Sequence, residues 1–253
     1  MMEILVTNDD GWGSKGIITL VRLMTQLGHV TVVAPDDPQS GKGNAISVQQ
    51  PLYLRRLVND QWGEEPWQEN VDVFTTNGTP SDCIKLALNI LYEGDEKRID
   101  LVASGINHGS NASINVIYSG TMGACFVAAE HGIPAIGFSL CEHGPDPDFQ
   151  FFEPYIVSIA RNLTQQPMPY GVCYNVNAPS GEIVDVRTTR QARGHWEREM
   201  EERLDEYGDK YYWLVGDFIN HEPDAEDTDE WALANGCISI QPCTIDRTAY
   251  EQI

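Results

Sequence analysis

The order of apolar runs along this chain predicts an α/β fold with a mostly parallel sheet. Short β-branched runs alternate with amphipathic helical patterns through the first 140 residues. Capping residues, glycines and prolines punctuate that alternation where strands and helices should exchange. The 253 residues imply a folded surface of roughly 11,000 Å² against roughly 41,000 Å² unfolded. A chain that buries so much of its surface makes one large domain, or one domain plus an extension.

Residues 4–7 read as a buried strand, and Ile17, Leu20, Val21, Met24 and Leu27 mark one face of a helix that Gly28 should stop. Strands follow at 30–34 and, after a polar insert at 61–70 read only as a surface loop, at 71–75. Thr79-Pro80-Ser81-Asp82 is a helix start: Thr79 caps, Pro80 suits the first turn and Asp82 reaches back. Ile84, Ala87, Leu88 and Leu91 supply that helix's apolar stripe. Residues 101–104 form the next strand, before a long Gly/Ser/Asn loop to Gly120 and a small-residue helix at 121–131. A strand at 135–139, a helix at 151–163 and a strand at 172–176 complete the alternation. Right-handed crossovers then collect the loops that follow strands on one edge, where such sheets bind ligands.

The last third differs. Residues 197–230 hold 14 acidic and 3 basic side chains, with Tyr211-Tyr212-Trp213-Leu214-Val215 the main apolar stretch. This reads as an extended arm or hairpin, either a solvated acidic face or a surface for a second subunit. Residues 236–241 return as a strand. The expected division is a core over 1–185 and an extension over 186–253.

Charge excludes some partners. With 38 acidic and 16 basic residues the net charge is −22, which disfavours nucleic acid polymers and anionic membranes. No apolar run reaches the ~18 residues of a membrane span, and the first residues lack the basic and apolar regions of a signal peptide. The six cysteines form no C-x-x-C pair, so they read as reduced thiols of a cytoplasmic protein.

The chemistry concentrates in three loops. Asn8-Asp9-Asp10-Gly11 ends the first strand. One Asp would suffice to cap the next helix, with Gly11 supplying a positive φ; two adjacent carboxylates ask for a cation between them. Gly11-Trp12-Gly13-Ser14-Lys15-Gly16 is also a literal G-x-G-x-x-G, with Asp36 twenty residues past Gly16, so a dinucleotide of the NAD type is an alternative ligand. The paired acids would repel its pyrophosphate. A receiver-like signalling module is a further alternative, but the expected acceptor Asp and strand-end Lys are missing. The second loop carries Ser40-Gly41. The third carries Asn107, His108 and Asn111, then Tyr118-Ser119-Gly120-Thr121 at a helix start. Asn107 can offer a carbonyl oxygen to a metal, and residues 119–121 can receive a phosphate. The donors are all oxygens, which suits Mg²⁺ or Mn²⁺, and a hard metal beside a phosphate pocket means phosphoryl chemistry.

On these motifs the chain resembles the SurE family of 5′-nucleotidases: N-D-D-G at 8–11, A-P-x-x-x-x-S-G at 34–41, G-T-P-S-D-C at 78–83, S-G-I-N-x-G-x-N at 104–111, Y-S-G-T at 118–121, N-V-N-x-P at 175–179, Y-W-L-x-G at 212–216, T-D-x-x-A at 228–232 and G-C-I-S-I-Q-P at 236–242. The resemblance implies a Rossmann-like, doubly wound domain with a C-terminal extended hairpin. It implies hydrolysis of nucleoside 5′- and 3′-monophosphates, and of short polyphosphate, with one divalent cation per subunit. By motif position the metal ligands would be Asp9, Asp10, Ser40 and Asn107. Asn8, Gly41, Asn111, Ser119, Gly120 and Thr121 would contact the phosphate or substrate, with Asp9, Asp10 and Asn107 catalytic. A homodimer or homotetramer built through the acidic arm is implied as well. Lys42 and Gly43 depart from the small residue and serine usual after Ser40-Gly41; Lys42 could touch substrate or be solvated. His108 could be a general acid or incidental.

Overall fold

A computed structural model describes residues 1–57, 62, 65–94, 98–142, 144 and 146–252. The chain runs β1 (Met2–Thr7), α1 (Lys15–Met24), β2 (Gly28–Pro35), β3 (Leu54–Arg56), β4 (Val71–Thr76), α2 (Pro80–Leu86), β5 (Leu101–His108), α3 (Gly120–Glu130), β6 (Ala135–Cys141), α4 (Glu153–Thr164), β7 (Val172–Pro179) and β8 (Asp185–Thr188). Four short strands follow: β9 (Gly194–Glu197), β10 (Met200–Leu204), β11 (Lys210–Leu214) and β12 (Asp217–Asn220). The chain closes with α5 (Asp229–Ala234) and β13 (Cys237–Thr244).

Nine strands form one sheet in the order β3-β4-β2-β1-β5-β6-β7-β13-β8. The run from β4 to β7 is parallel, as the β-branched runs without alternation require of strands covered on both faces. β3 is antiparallel to β4, and β13 is antiparallel to β7. β1 lies between β2 and β5, so the chain winds outward first to one side and then to the other. The crevice beyond the C-terminal ends of β1 and β5 is the switch point of a doubly wound sheet.

The two helix layers follow from the apolar stripes. Ile17, Leu20, Val21 and Met24 of α1 and Ile156, Ile159 and Ala160 of α4 are buried on one face. Cys83, Ile84 and Ala87 join Met122, Cys125, Val127 and Ala128 of α3 on the other. The capping box at α2 forms as expected: Thr79 Oγ1 accepts from the Asp82 amide (3.2 Å) and Asp82 Oδ2 from the Thr79 amide (2.9 Å).

Four expectations are corrected. Gly28 does not stop α1, which ends at Met24 with Thr25 as its cap. It opens β2 instead, where a Cβ would stand 2.0 Å from the Met2 carbonyl oxygen. β5 continues through Asn107 and His108 past an irregularity after Ser104. The loop beyond it is therefore short and leads into a 3₁₀ turn, Ser113–Ile117. Residues Ala87–Leu91 extend α2 as a π-helical turn. Gln61, Gly63 and Glu64 lie outside the described residues, but the insert is more than surface: Trp62 and Trp67, with ring centroids 6.3 Å apart, pack on the core beside α1's layer.

The arm is one long β-hairpin. β9 pairs with β12 near the sheet and β10 with β11 at the tip. Arg198 and Gly216 have positive φ opposite each other where the two ladders break. Among the described residues no helix is long and apolar enough to cross a membrane.

Candidate active site

A cavity of about 430 Å³ opens at the switch point, within the roughly 300–1,000 Å³ usual for small-molecule sites. Asp9, Ser40, Gly41, Asn107, Asn111 and Ser119 all line it. Asn8, Asp10, Gly120 and Thr121 stand around it without lining it.

Neither acid caps a helix. Ser14 caps α1, its Oγ accepting from the Ile17 amide, while Asn8 Nδ2 donates to Ser14 Oγ (2.8 Å) and to the Gly11 carbonyl (2.9 Å). Gly11 takes the expected positive φ of 91°. Asn8 thus holds the turn in shape and frees the two carboxylates. Asp9 is 4% exposed and receives the Thr121 hydroxyl on Oδ1 at 2.8 Å. Thr121's backbone N–H also favours its charge, yet burial and then the Asp10 charge push it up to about 6. Burial likewise raises Asp10, against the His108 backbone N–H, and its buried Oδ2 has no partner among the described residues. No ion pair reaches either acid among the described residues.

The start of α3 was expected to receive a phosphate. It lies beside Asp9, whose Oδ1 accepts from the Thr121 hydroxyl. Gly120 makes the approach possible, since a Cβ there would lie 2.9 Å from Asp9 Cβ. Ser119 caps α3 through the Met122 amide (3.1 Å) and still faces the cavity.

Asn107 Nδ2 donates to the Gly109 carbonyl (2.9 Å), leaving its carbonyl oxygen as the remaining side-chain acceptor. Ser40 stands exposed at the rim, on a loop tied down by Gln39 N–H to the Asp9 carbonyl (2.6 Å) and Gly43 N–H to the Tyr118 carbonyl (2.9 Å). Lys42 on that loop is exposed and outside the lining. Asn111 belongs to a buried amide network. Its Nδ2 donates to Ser139 Oγ (2.9 Å), its backbone N–H to Asn177 Oδ1 (2.9 Å), and its carbonyl accepts from Asn175 Nδ2 (2.8 Å). The N-V-N motif therefore builds the floor of the loop. His108 lines the cavity against Phe149 with its Nε2 unpartnered, and burial lowers its pKa while Asp9 pulls the other way.

The donor set fits a hard cation: two adjacent carboxylates, one with an orphaned buried oxygen, a hydroxyl and an amide oxygen. Among the described residues no group of three or more His, Cys, Asp or Glu is placed to hold a metal ion. The dinucleotide reading fares worse. Gly16 lets α1 close on β5, a Cβ there meeting the Ile106 carbonyl oxygen at 2.1 Å. Asp36, meant for a ribose, is paired with Arg55 at 2.7 Å.

The far wall was not foreseen. Asn115, Cys141, Trp196, Phe218, Glu230 and Leu233 line it, beside Tyr118 of the third loop. Trp196 and Phe218, from the base of the arm, meet edge to face at 5.8 Å, and Trp196 Nε1 donates to Asn115 Oδ1 at 2.8 Å. The only sequence signals were the T-D-x-x-A and Y-S-G-T motifs, which flank several of these positions. Asp229 in the first of them is fully buried and accepts from the amides of Ser113 (2.8 Å), Ala192 (2.9 Å) and Glu230 (2.8 Å), binding the third loop, the arm and α5 together.

A family model described as survival protein SurE matches residues 4–198. The 5′-nucleotidase SurE of Flavobacterium psychrophilum is 46% identical over 253 residues, covering 99% of this chain and 94% of the relative. The 5′-nucleotidase SurE 1 of Thermus thermophilus is 39% identical over 249 residues, covering 98% and 94%. Among solved structures, the crystal structure of the Sure protein from Aquifex aeolicus superposes with a TM-score of 0.82 at 31% identity, over 99% of this chain and 96% of that one.

Proposed function

The chain belongs to the survival protein SurE family and is a 5′-nucleotidase; within that activity we propose that it is a divalent-metal-dependent phosphatase of nucleoside monophosphates. One observation carries the metal. Among the described residues the cavity that must take a phosphate monoester is lined by Asp9 and Glu230 and by no Lys or Arg, in a protein of net charge −22. A phosphate dianion is repelled there unless a cation is shared between it and the paired acids.

Asp9, Asp10, Ser40 and Asn107 are the proposed ligands of one Mg²⁺ or Mn²⁺ per subunit. When bound, the cation supplies the charge that attracts and polarises the phosphate and lowers the pKa of water. The chain's own groups do the rest. Thr121 fixes Asp9 in one orientation, and Asn8 holds the turn that presents both acids. Gly41, Asn111 and Ser119 frame the phosphate side, with the α3 N-terminus adding positive potential through Asp9's neighbours. The enclosing walls exclude water from all but the open side. Nucleoside 3′-monophosphates and short polyphosphate are proposed as further substrates. The arm is the proposed contact of a homodimer or homotetramer, and the unpaired thiols support a cytoplasmic setting.

The test is phosphate release from a panel of nucleoside monophosphates with Mn²⁺, with Mg²⁺ and with a chelator. Release that depends on the metal is expected; full activity in chelator after dialysis would overturn the metal assignment.

A further inference from the structure

Glu230 lies on the far wall of the cavity, in the same lining as Asp9 and Asn107. It is the second residue of α5, next to Asp229, and the two acids have opposite fates. Asp229 is fully buried and occupied by three backbone amides. The Glu230 carboxylate is half-buried, and among the described residues it has neither a hydrogen-bond donor nor a cation. Burial pushes its pKa up to about 7, with the Asp229 charge adding to the effect. Four other acids on the extension are paired: Glu222, Glu201, Asp217 and Glu202 each meet an Arg or Lys. An acid kept half-desolvated and unpartnered inside a ligand cavity lacks the donors a ligand could bring.

The ligand's parts narrow the choice. The phosphate is excluded as Glu230's partner by like charge. The nucleoside remains, and its neighbours on this wall are apolar or aromatic: Trp196, Phe218, Tyr118 and Leu233, surfaces suited to a base face. Between base and phosphate every ribonucleoside 5′-monophosphate carries a vicinal pair of hydroxyls. Two parallel O–H donors match the two oxygens of one carboxylate, the same chemistry by which an acid reads a ribose in dinucleotide sites.

We infer that Glu230 is a specificity-determining residue that accepts the ribose 2′- and 3′-hydroxyls of a nucleoside 5′-monophosphate and so selects ribonucleotides over 2′-deoxyribonucleotides among the 5′-monophosphates. The inference rests on the nucleotidase reading above and adds to it the sugar that the site prefers.

The experiment compares kcat/KM for AMP and dAMP in the parent enzyme, Glu230→Leu and Glu230→Gln, together with equilibrium binding of adenosine and 2′-deoxyadenosine, which needs no turnover. The parent is expected to favour the ribose form by about tenfold in both readouts, the scale of one charge-assisted hydrogen bond. In Glu230→Leu the preference should collapse to near one through a rise in KM for AMP, while Glu230→Gln keeps part of it through its amide oxygen. An equal ribose preference in parent and Glu230→Leu would overturn the inference alone. Failure of the parent to hydrolyse either nucleotide with any metal would overturn the nucleotidase reading and this inference with it.

Discussion

Asp9 and Asp10 are adjacent acids treated differently by their surroundings. Asp9 has the Thr121 hydroxyl and the start of α3; Asp10 has a buried oxygen with no donor. Neutralising Asp10 removes like-charge repulsion from the metal-free protein while deleting a ligand. Asp10→Asn is therefore expected to lower turnover by about a hundredfold or more and to leave the melting temperature in chelator unchanged or higher. Turnover within twofold of the parent would remove Asp10 from the site. Gly120 is required by packing rather than by its backbone angle, because its Cβ would crowd Asp9 at 2.9 Å. Gly120→Ala should destabilise the fold by about 1–3 kcal/mol through overpacking, although alanine ordinarily favours a helix. Its activity should fall further than that of an Ala substitution at the open Gly13, where nothing lies within 4 Å. Equal activity in the two variants would show that Asp9 tolerates displacement.

At the scale of elements, the base of the arm is clasped by Glu222. Its carboxylate accepts from Arg190 (3.0 Å), from the Arg193 side chain (3.0 Å) and from the Arg193 amide (2.7 Å). Arg190, then Arg193, hold this acid well below the usual carboxylate range, against a reference of 4.5. A depressed folded pKa contributes stability that is present above the unfolded value and is lost as pH falls through the folded one. The clasp should therefore be intact at neutral pH and weaken progressively below about pH 4.5. Amide exchange at Arg193 and at His221, whose N–H donates to the Arg193 carbonyl at 2.9 Å, should accelerate across that window. In Glu222→Gln both amides should exchange quickly already at pH 7, and protection equal to the parent's would refute the clasp. Because Trp196 and Phe218 lie on the two strands nearest the clasp, the same change should raise KM.

For the whole molecule, the surface is 13,255 Å², above the roughly 11,000 Å² of a compact chain of this size. The excess belongs to the projecting arm and the exposed loop of residues 36–51. The arm's tip exposes Met200, Leu204, Tyr207, Tyr212, Trp213 and Leu214, apolar groups that support the proposed contact with a second subunit. Replacing Trp213 and Leu214 by Asp is expected to reduce the sedimentation mass to that of one chain, with the central sheet still folded by circular dichroism. A parent that sediments as a monomer at assay concentration would overturn the proposed assembly.

How far the sequence could be read differs by kind of residue. The parallel sheet, the helix stripes and the α2 capping box were legible because each is written in local periodicity and in residues three or four apart. That Asp9, Ser40, Asn107 and Ser119 line one cavity was legible because connections in such a fold gather at one edge. The far wall was not. Trp196, Phe218 and Glu230 come from an arm and a short helix whose return to the cavity depends on the buried Asp229 and on Trp196 bonding to Asn115. Sequence by itself determined the class of fold, the acidic oxygen-donor chemistry and the family, since these reside in short motifs and their order. Only the tertiary structure decided that Asp9 lies against the start of α3, that the N-V-N asparagines support a loop, and that Glu230 lines the cavity. Each of those depends on which distant groups meet, and burial, not spacing along the chain, sets that.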